Sequence, residues 1–349
     1  MDAAAPGDTV LVLPGTYVID NNGGGWPSGV DIGPDKPGLK LRAGGPPGSV
    51  KIVGVGTIVP GPLNWRGISV EADNALVEGF DISGLFQTGI TAGASVPQGT
   101  RITGNTIHDL QTSDSSLAIG ITPGPGNEVD HNTIYGCVWG IMLNGPGKPG
   151  PDWQTHLHHN QVSNQVNAPS LQAAGIGIFL WLAPGCQIDH NDCNDDGQFG
   201  IYLASSPRCI ADSNSADGNG DTGIFLDSWG SPDCTLANNQ ANGNGGYGIV
   251  VGSSSNCALH NNQASHNHFD GIMLVGSSGC AVDNNATNDN GSDGIRVDYT
   301  CGSTFKNNAA EGNGEFDLGA PALADPACNT YLNNRAGTAT PSLALWNVK

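Results

Sequence analysis

Basic residues are scarce in this chain of 349 residues, which has 12 Lys and Arg against 32 Asp and Glu and a formal net charge of −20. Nucleic acids and anionic membrane surfaces bind proteins through basic patches, so this balance excludes both as expected partners. A strongly anionic polymer is also disfavoured unless calcium bridges the charges. The longest apolar run, around 175–183, is far shorter than the roughly 20 residues of a membrane-spanning helix.

Patterns typical of helices are missing as well. No window carries a long apolar stripe with a period of 3.6 residues, and Gly (53 residues) and Asn are too frequent for helix interiors. No cysteine or histidine spacing matches a zinc site, so no metal site is predicted. The nine cysteines are an odd number, which leaves at least one unpaired if all the others form disulfides.

What the chain has instead is a repeat. Two short templates alternate from Gly175 to Asn308, one ending in Asn and one of the form Gly-Ile-x-Leu. The last Asn of each copy falls at Asn191, Asn214, Asn239, Asn262, Asn285 and Asn308. The steps are therefore 23, 25, 23, 23 and 23 residues, and a fixed period in this range is typical of stacked supersecondary units.

Each repeat is predicted to consist of β-strands. In the copy Gly-Ile-Phe-Leu-Asp at 223–227, Ile224 and Leu226 alternate with other residues, which is the period of a strand with one buried face. Strands of successive turns are expected to stack in parallel, about 4.8 Å apart. The recurring Asn is predicted to lie at a bend, where its amide bonds the same Asn of the next turn.

Five cysteines occupy one register on consecutive turns. We expect an inward stack of free thiols, which behave as small apolar side chains, and disulfides are the alternative. The five residues are Cys186, Cys209, Cys234, Cys257 and Cys280.

These motifs resemble the right-handed parallel β-helix (pectin lyase-like) superfamily, whose repeats read Gly-Ile-x-Leu followed by a short strand that ends in Asn. The resemblance covers nearly the whole chain and implies an all-β fold, a single-stranded right-handed parallel β-helix solenoid of about 11–12 turns. Similar proteins include pectate lyases, alginate lyases and epimerases, polygalacturonases and periplasmic NosD-like proteins. The function stays open, because one architecture hosts many activities.

A single domain is expected to cover the chain (1–349). Its N-terminal turns and cap (1–66) are irregular, its regular turns occupy 67–334, and 335–349 form a C-terminal cap or tail. The first residues resemble the opening turn of exported β-helix proteins, so we expect an extracellular or periplasmic protein whose export signal is absent from this sequence. The oligomeric state is left open.

The resemblance implies that substrate binds on the outward side of the Gly-Ile-x-Leu strands. The outward residues are apolar and aromatic over several turns, although such positions on a solvated sheet should be polar. Either the inserted loops 144–154 and 161–174 cover them or they bind a ligand, and flat aromatic faces suit sugar rings. The predicted substrate-binding residues are Asn144, Trp153, Phe179, Trp181, Tyr202, Phe225, Trp229 and Arg296.

Asp227 is the predicted acid/base residue. Ala204 and Gly252, its neighbours on adjacent turns, predict open space above a carboxylate on an apolar floor, which suits a general acid. The alternative is a solvated Asp at a strand end, and Asp beside Gly at a bend is also ordinary turn chemistry. The predicted catalytic partners are Asp221, Asp270 and His268.

The leading hypothesis is an enzyme that cleaves or modifies a polysaccharide or oligosaccharide by carboxylate chemistry. No motif of one subfamily transfers: the Asp-Pro-His of alginate epimerases is absent, since Asp325-Pro326 is followed by Ala327. The first alternative is a non-catalytic carbohydrate-binding, adhesion or NosD-like maturation module. The second alternative is a uronate lyase or C5-epimerase that depends on calcium, for which Asp is plentiful.

Overall fold

The computed structural model describes residues 3–20, 28–56, 65–93, 99–111, 117–145, 154–168, 173–227, 229–320 and 328–340. Within these ranges there is no α-helix, hence none that is long and apolar enough to cross a membrane. The named strands pair in parallel from one turn to the next, which confirms the predicted all-β parallel β-helix. The chain divides into two compact units, Met1–Phe179 and Leu180–Lys349.

Each turn of the first unit contributes one short strand to each of three sheets, called A, B and C. Sheet A contains β1 (Thr9–Val12), β4 (Lys40–Ala43), β7 (Leu76–Glu78), β10 (Arg101–Thr103), β13 (Glu128–Asp130) and β16 (His156–His158). Sheet B contains β2 (Gly15–Asp20), β5 (Val50–Val55), β8 (Asp81–Gly84), β11 (Thr106–Leu110), β14 (Thr133–Tyr135) and β17 (Gln161–Ser163). Sheet C contains β3 (Ser28–Ile32), β6 (Arg66–Val70), β9 (Thr88–Ala92), β12 (Ile119–Pro123), β15 (Trp139–Asn144) and β18 (Ile176–Trp181), which ends just past the unit boundary.

The second unit keeps sheets A and C, while sheet B shrinks to β20 (Asp192–Asn194), a row of single bridges and the pair β31 (Ala309–Ala310) and β34 (Arg335–Ala336). The strands that the second unit contributes to sheet A are β19 (Gln187–Asp189), β22 (Ile210–Asp212), β24 (Thr235–Ala237), β26 (Ala258–His260), β28 (Ala281–Asp283), β30 (Thr304–Lys306) and β33 (Thr330–Leu332). The strands that the second unit contributes to sheet C after β18 are β21 (Phe199–Ala204), β23 (Thr222–Leu226), β25 (Ile249–Gly252), β27 (Ile272–Val275), β29 (Ile295–Asp298) and β32 (Leu318–Gly319).

Inward side chains of sheet C form much of the core of the second unit. Ile224 pairs with Ile201 on one side and with Ile249 on the other, and all three are fully buried. The Gly that opens the template is required by close packing, because a Cβ on Gly223 would lie only 2.8 Å from the carbonyl oxygen of Gly248. The predicted strand and its inward face are therefore confirmed.

The recurring Asn residues form the predicted ladder. Nδ2 of Asn262 donates to Oδ1 of Asn285 at 3.0 Å and to the backbone oxygen of Leu236 at 2.8 Å. Because every buried amide of the ladder is satisfied by its neighbours, the bends are fixed turn by turn. A second ladder, which sequence reasoning missed, links Asn219, Asn244, Asn267, Asn290 and Asn313 in the same way.

The cysteine stack is also present. Seven of the nine cysteines are free and buried, including all five of the predicted register, so the prediction of free thiols is confirmed. The hydrogen bond to Cys234 and burial raise the pKa of Cys257 to about 12, so this thiol is inert near neutral pH. The remaining two, Cys301 and Cys328, form a disulfide that the sequence did not predict.

The subdivision into N-terminal turns, regular turns and a terminal cap remains a proposal. Most of the inserted loop 144–154 and the last nine residues of the proposed cap, 341–349, lie outside the described residues.

Candidate functional site

Outward side chains of sheet C in the second unit form columns with one residue from each turn. Successive side chains of a strand point to opposite faces, so the inward Ile224 and Leu226 place Phe225 and Asp227 outward. Tyr202 on β21 pairs with Phe225 on β23 and lies in the same outward column. The repeat therefore puts an aromatic surface and a carboxylate on one face.

Tyr202 and Asp227 are joined by a short hydrogen bond. The phenolic hydroxyl of Tyr202 donates to Oδ2 of Asp227 at 2.6 Å, from one turn to the next. Burial and this hydrogen bond raise the pKa of Tyr202, so its phenol stays protonated at neutral pH. We call the two side chains the Tyr202–Asp227 dyad.

Two further aromatic rings adjoin the ring of Tyr202 and form a surface of three rings with it. Tyr202 stacks on Phe225 with ring centroids 5.1 Å apart, and Phe199 lies 5.2 Å from Tyr202 and 5.5 Å from Phe225. All three rings are half-buried. Two exposed indoles lie on neighbouring parts of the chain: Trp181 ends β18, and Trp229 follows Asp227 by two residues. This aromatic surface, with a phenolic oxygen that can accept a hydrogen bond, suits the C–H faces and hydroxyl groups of a sugar ring.

The carboxylate of Asp227 is covered rather than open. Its small neighbours Ala204 and Gly252 predict free space above it, yet the residue is only 7% exposed. The phenol of Tyr202 closes over Oδ2, and the backbone N–H of Asp227 is fixed by a 3.0 Å hydrogen bond to the carbonyl of Leu203. The prediction of an open carboxylate is therefore wrong, because a side chain from the adjacent turn fills the space.

The predicted partners of Asp227 lie at the other end of the strands. Asp221 and Asp270 come just before β23 and β27, whereas Asp227 comes just after β23, so strand length alone separates them by about 17–20 Å. His268 is exposed and packs against Phe269 with ring centroids 4.8 Å apart. The structure therefore does not bring the four predicted catalytic residues together, and their roles remain predictions.

A charged cluster occupies the later turns of the same face. Asp270 and Asp293 are buried on successive turns, and the backbone N–H of Asp293 donates to Oδ1 of Asp270 at 2.8 Å. Burial raises the pKa of both carboxyl groups, and the nearby charge of Asp270 helps to bring that of Asp293 to about 6. Nε of Arg296 donates to Oδ2 of Asp298 at 3.0 Å. Arg296 thus belongs to this cluster rather than to the aromatic surface.

Three of the predicted substrate-binding residues belong to the first unit, and the structure describes two of them. Asn144 is exposed at the end of β15. Phe179 is buried against Trp139 with ring centroids 5.2 Å apart, and the indole N–H of Trp139 donates to the carbonyl of Ala174 at 3.1 Å. This contact agrees with the alternative that the end of the loop 161–174 covers the outward face there. Trp153 lies outside the described residues, and the binding roles of all three stay predictions.

Four of the nine histidines gather on sheet A of the first unit, a feature that sequence reasoning missed. His156 and His158 lie on β16, His159 follows that strand, and His131 follows β13 one turn earlier. Ring centroids are 4.0 Å apart for His156 and His158, 5.2 Å for His158 and His159, and 5.1 Å for His131 and His159. The segment His-Leu-His-His at 156–159 is the signal that predicts such a cluster.

Acidic side chains orient these rings. Oε1 of Glu128 lies 3.0 Å from Nε2 of His158, and Oδ2 of Asp130 lies 2.7 Å from Nδ1 of His131. One atom each of Glu128, Asp130 and His158 lie within 4.8 Å of one another, as metal ligands do. Both oxygens of the buried Asp130, however, accept hydrogen bonds from Arg101, at 2.8 and 2.7 Å. Arg101 thus neutralises Asp130, and the cluster is chiefly one of imidazole donors.

Comparisons with known proteins identify one family by sequence. The model of the family described as "Periplasmic copper-binding protein (NosD)" matches residues 159–336, which are 178 of the 349 residues. No curated protein matches the chain.

Several solved structures are similar in fold at low sequence identity. The PL6 family polysaccharide lyase Pedsa3628 from Pseudopedobacter saltans has a TM-score of 0.68 and 15% identity, covering 97% of this chain and 90% of that one. The PL6 family alginate lyase AlyGC has a TM-score of 0.66 and 15% identity, with 96% and 49% coverage. The A-module of mannuronan C-5 epimerase AlgE6 from Azotobacter vinelandii has a TM-score of 0.51 and 16% identity, with 96% and 86% coverage. At this identity the likeness establishes the parallel β-helix fold alone.

Proposed function

This chain belongs to the NosD family of β-helix proteins, and we propose that it binds a polysaccharide on the outward face of sheet C in its second unit and cleaves or modifies it. The observation that carries the proposal is the 2.6 Å hydrogen bond of the Tyr202–Asp227 dyad within a surface of three aromatic rings. A stacked sheet presents the same face on every turn, which fits an extended polymer better than a small molecule.

Aromatic side chains provide the binding surface. The half-buried rings of Tyr202 and Phe225 stack on each other, and Trp229 is 69% exposed only two residues after Asp227. A large exposed ring costs free energy in water unless it has a partner, and sugar C–H faces are such partners. The Tyr202 hydroxyl and the Asp227 carboxylate supply the polar groups that orient a sugar.

The dyad supplies the acid/base chemistry. Asp227 accepts the hydrogen bond of the Tyr202 hydroxyl, so the phenolic proton can pass to the carboxylate as the phenolic oxygen takes a proton from a bound sugar. The raised pKa of Tyr202 keeps the phenol protonated at neutral pH, so the hydroxyl has a proton to pass to Asp227. Asp221, Asp270 and His268 lie too far along the strands to act on the same atom.

A neutral glycan is the preferred substrate class. The formal net charge of −20 repels a polyuronate unless a cation bridges the charges. Polysaccharide lyases share the fold, which supports a glycan as the substrate. The family name places NosD in the periplasm, and for this chain we propose a periplasmic or extracellular location.

Product analysis tests this function. Wild-type protein is incubated with a panel of neutral and uronic-acid polysaccharides, with and without a chelator, and the products are separated by size and composition. The proposal expects shortened chains from at least one neutral glycan, with no loss on chelation. Activity confined to polyuronates and abolished by the chelator would favour the calcium-dependent alternative instead.

A non-catalytic module is the second candidate, and one observation favours it. Asp227 is only 7% exposed because its own Tyr202 covers it, which is typical of a carboxylate that fixes a neighbouring side chain. Such a module would bind a glycan of the same panel with unchanged chain length and composition. Binding without product therefore separates it from the enzyme.

A further inference from the structure

We propose that a cavity on sheet C of the first unit binds a small molecule with one carboxylate and two ammonium groups, the charge pattern of a diamino acid such as lysine. The cavity has a volume of about 360 Å³, within the roughly 300–1,000 Å³ typical of small-molecule sites. Its lining combines charges of both signs with hydroxyl groups, from Asp31, Glu71, Arg66, Ser28 and Ser69. None of these residues belongs to the glycan site, so the inference does not rest on the proposed function.

Two neighbouring strands bring the lining side chains together. Asp31 on β3 is paired with Ser69 on β6, and Arg66 begins β6 three residues before Ser69. Glu71 directly follows β6, and its backbone N–H donates to the carbonyl of Ile32 at 2.8 Å. Paired strands are about 4.8 Å apart, so the guanidinium and both carboxylates border one small space.

Ser69 fixes the guanidinium at one wall of the cavity. Ser69 is only 4% exposed, and its Oγ accepts a hydrogen bond from Nη1 of Arg66 at 3.3 Å. This bond uses one N–H group of the arginine, and a hydroxyl that accepts still has its own proton to donate. Both groups can therefore act on one ligand. The planar guanidinium matches a carboxylate, which accepts two parallel hydrogen bonds from it.

The charges of the cavity are not paired with one another. Among the residues that the structure describes, the ion pairs include none of Arg66, Asp31 and Glu71. Arg66 is half-buried, and the two carboxylates are exposed. Opposite charges that border one space without contact leave room for a ligand that reaches both. With one cation and two anions, the lining as a whole is negative.

A diamino acid matches these charges one to one. Its carboxylate binds Arg66 and Ser69, as the donors of both side chains require an acceptor. Its two ammonium groups bind Asp31 and Glu71, so the complex is neutral. An amino acid with an uncharged side chain leaves one carboxylate of the cavity unmatched, and a diamine leaves the guanidinium unmatched. The ligand class is therefore a small cationic amino acid.

Calorimetry with the full chain at low ionic strength tests the inference with three probes. L-lysine carries all three charged groups, L-norleucine lacks the side-chain ammonium, and cadaverine lacks the carboxylate. We expect L-lysine to bind at one site per chain. Its affinity should exceed that of either other probe by roughly 10-fold or more, because each lacks one charge-assisted contact.

Variants of the charged lining assign the contacts. Arg66→Gln should weaken L-lysine binding by about 10- to 100-fold and leave cadaverine binding no weaker, because the guanidinium contacts only the carboxylate. Asp31→Asn and Glu71→Gln should each weaken L-lysine binding by about 2- to 5-fold, since exposed ion pairs contribute less. Arg42→Gln is the matched control, because Arg42 is an exposed arginine that pairs with Glu78 on sheet A of the same unit. It should bind L-lysine like wild type.

Thermal unfolding of every variant checks that the fold is intact. If Arg66→Gln does not fold, Asp31→Asn and Glu71→Gln decide, since they change exposed side chains, and L-lysine binding that both leave unaltered would overturn the inference. Wild-type protein that binds no L-lysine, or that binds L-norleucine or cadaverine equally tightly, would overturn it as well. The same holds if folded Arg66→Gln binds L-lysine like wild type.

Discussion

The phenolic oxygen of Tyr202 lies 2.6 Å from Oδ2 of Asp227, which stands on the next turn of the β-helix. On the preceding turn, the residue aligned with Asp227 is the small Ala204. Tyr202, two residues before Ala204, therefore has room to reach the carboxylate diagonally. The contact holds the phenolic oxygen of Tyr202 in one place on the half-buried aromatic column, where it can accept a hydrogen bond. The proposed recognition of a sugar and the proposed transfer of a proton both depend on this pair.

Binding should depend on the exposed indoles of the second unit. We expect Trp229→Ala and Trp181→Ala each to weaken glycan binding by roughly 3- to 10-fold, as for the loss of about 0.5–1.5 kcal/mol of ring contact. Calorimetry with the polysaccharide identified by the product panel measures the effect. Ile210→Ala, which removes an apolar side chain from sheet A whose exposure lies between those of Trp181 and Trp229, is the control and should bind like wild type. Equal losses in all three variants would contradict a site on sheet C.

The asparagine ladder should dominate the stability of the second unit. Asn262→Leu removes an amide whose Oδ1 accepts from Asn239 and whose Nδ2 donates to Asn285 and Leu236, all of them buried. Each buried group left without a partner costs about 1–3 kcal/mol, so the melting temperature should fall clearly. Gln263→Leu, at the exposed neighbouring position, is the control and should change it little. A melting temperature that Asn262→Leu leaves unaltered would refute the ladder as a source of stability.

Thiol counting checks the cysteine stack. In native protein a thiol reagent should label few cysteines, since all seven free ones are buried. After unfolding without reductant it should label those seven, and after reduction all nine, because Cys301 and Cys328 then add to the count. Fewer than seven labels in the unfolded, unreduced chain would reveal disulfides within the stack.

Stability should fall as the pH rises through the titration of Asp293. Burial and the charge of Asp270 raise its folded pKa from 3.8 to about 6, so the folded state keeps a proton that the unfolded chain releases. This contribution is complete below about pH 4 and is lost as the pH rises to about 6. Asp293→Asn lacks this titration. The melting temperature of the variant minus that of wild type should therefore increase between pH 4 and 7.

The control for this measurement is Asp233→Asn, which changes an exposed carboxylate. The difference in melting temperature between Asp233→Asn and wild type should stay constant between pH 4 and 7. A pH-independent difference between Asp293→Asn and wild type would contradict the raised pKa.

Much of the fold could be predicted from the sequence, because the residues that set it are local and periodic. The close approach of the next turn requires glycine at Gly223, and the hydrogen bonds of the ladder require asparagine at Asn262. Each repeat therefore shows the requirements of the fold in its own residues. The site was harder to predict. Whether Asp227 is open depends on where the ring of Tyr202 lies, and no residue pattern specifies that.

The histidine cluster shows the same limit. His131 and His159 are 28 residues apart in sequence, and only the register of β13 with β16 brings their rings within 5.1 Å. Spacing rules for metal sites assume ligands on one loop or helix, so they do not detect donors that come together across turns of a solenoid. The adjacent pair His158 and His159 carries the local signal.

Turnover by variants of the dyad shows whether Tyr202 and Asp227 act together as the acid/base group. Asp227→Asn and Tyr202→Phe are compared with wild type on the polysaccharide that the product panel identifies, with binding and melting temperature measured in parallel. We expect both variants to stay folded and to bind the glycan, while product forms about 10²–10⁴ times more slowly. Full activity in Asp227→Asn, or losses confined to binding, would contradict the assignment of the Tyr202–Asp227 dyad as the acid/base group.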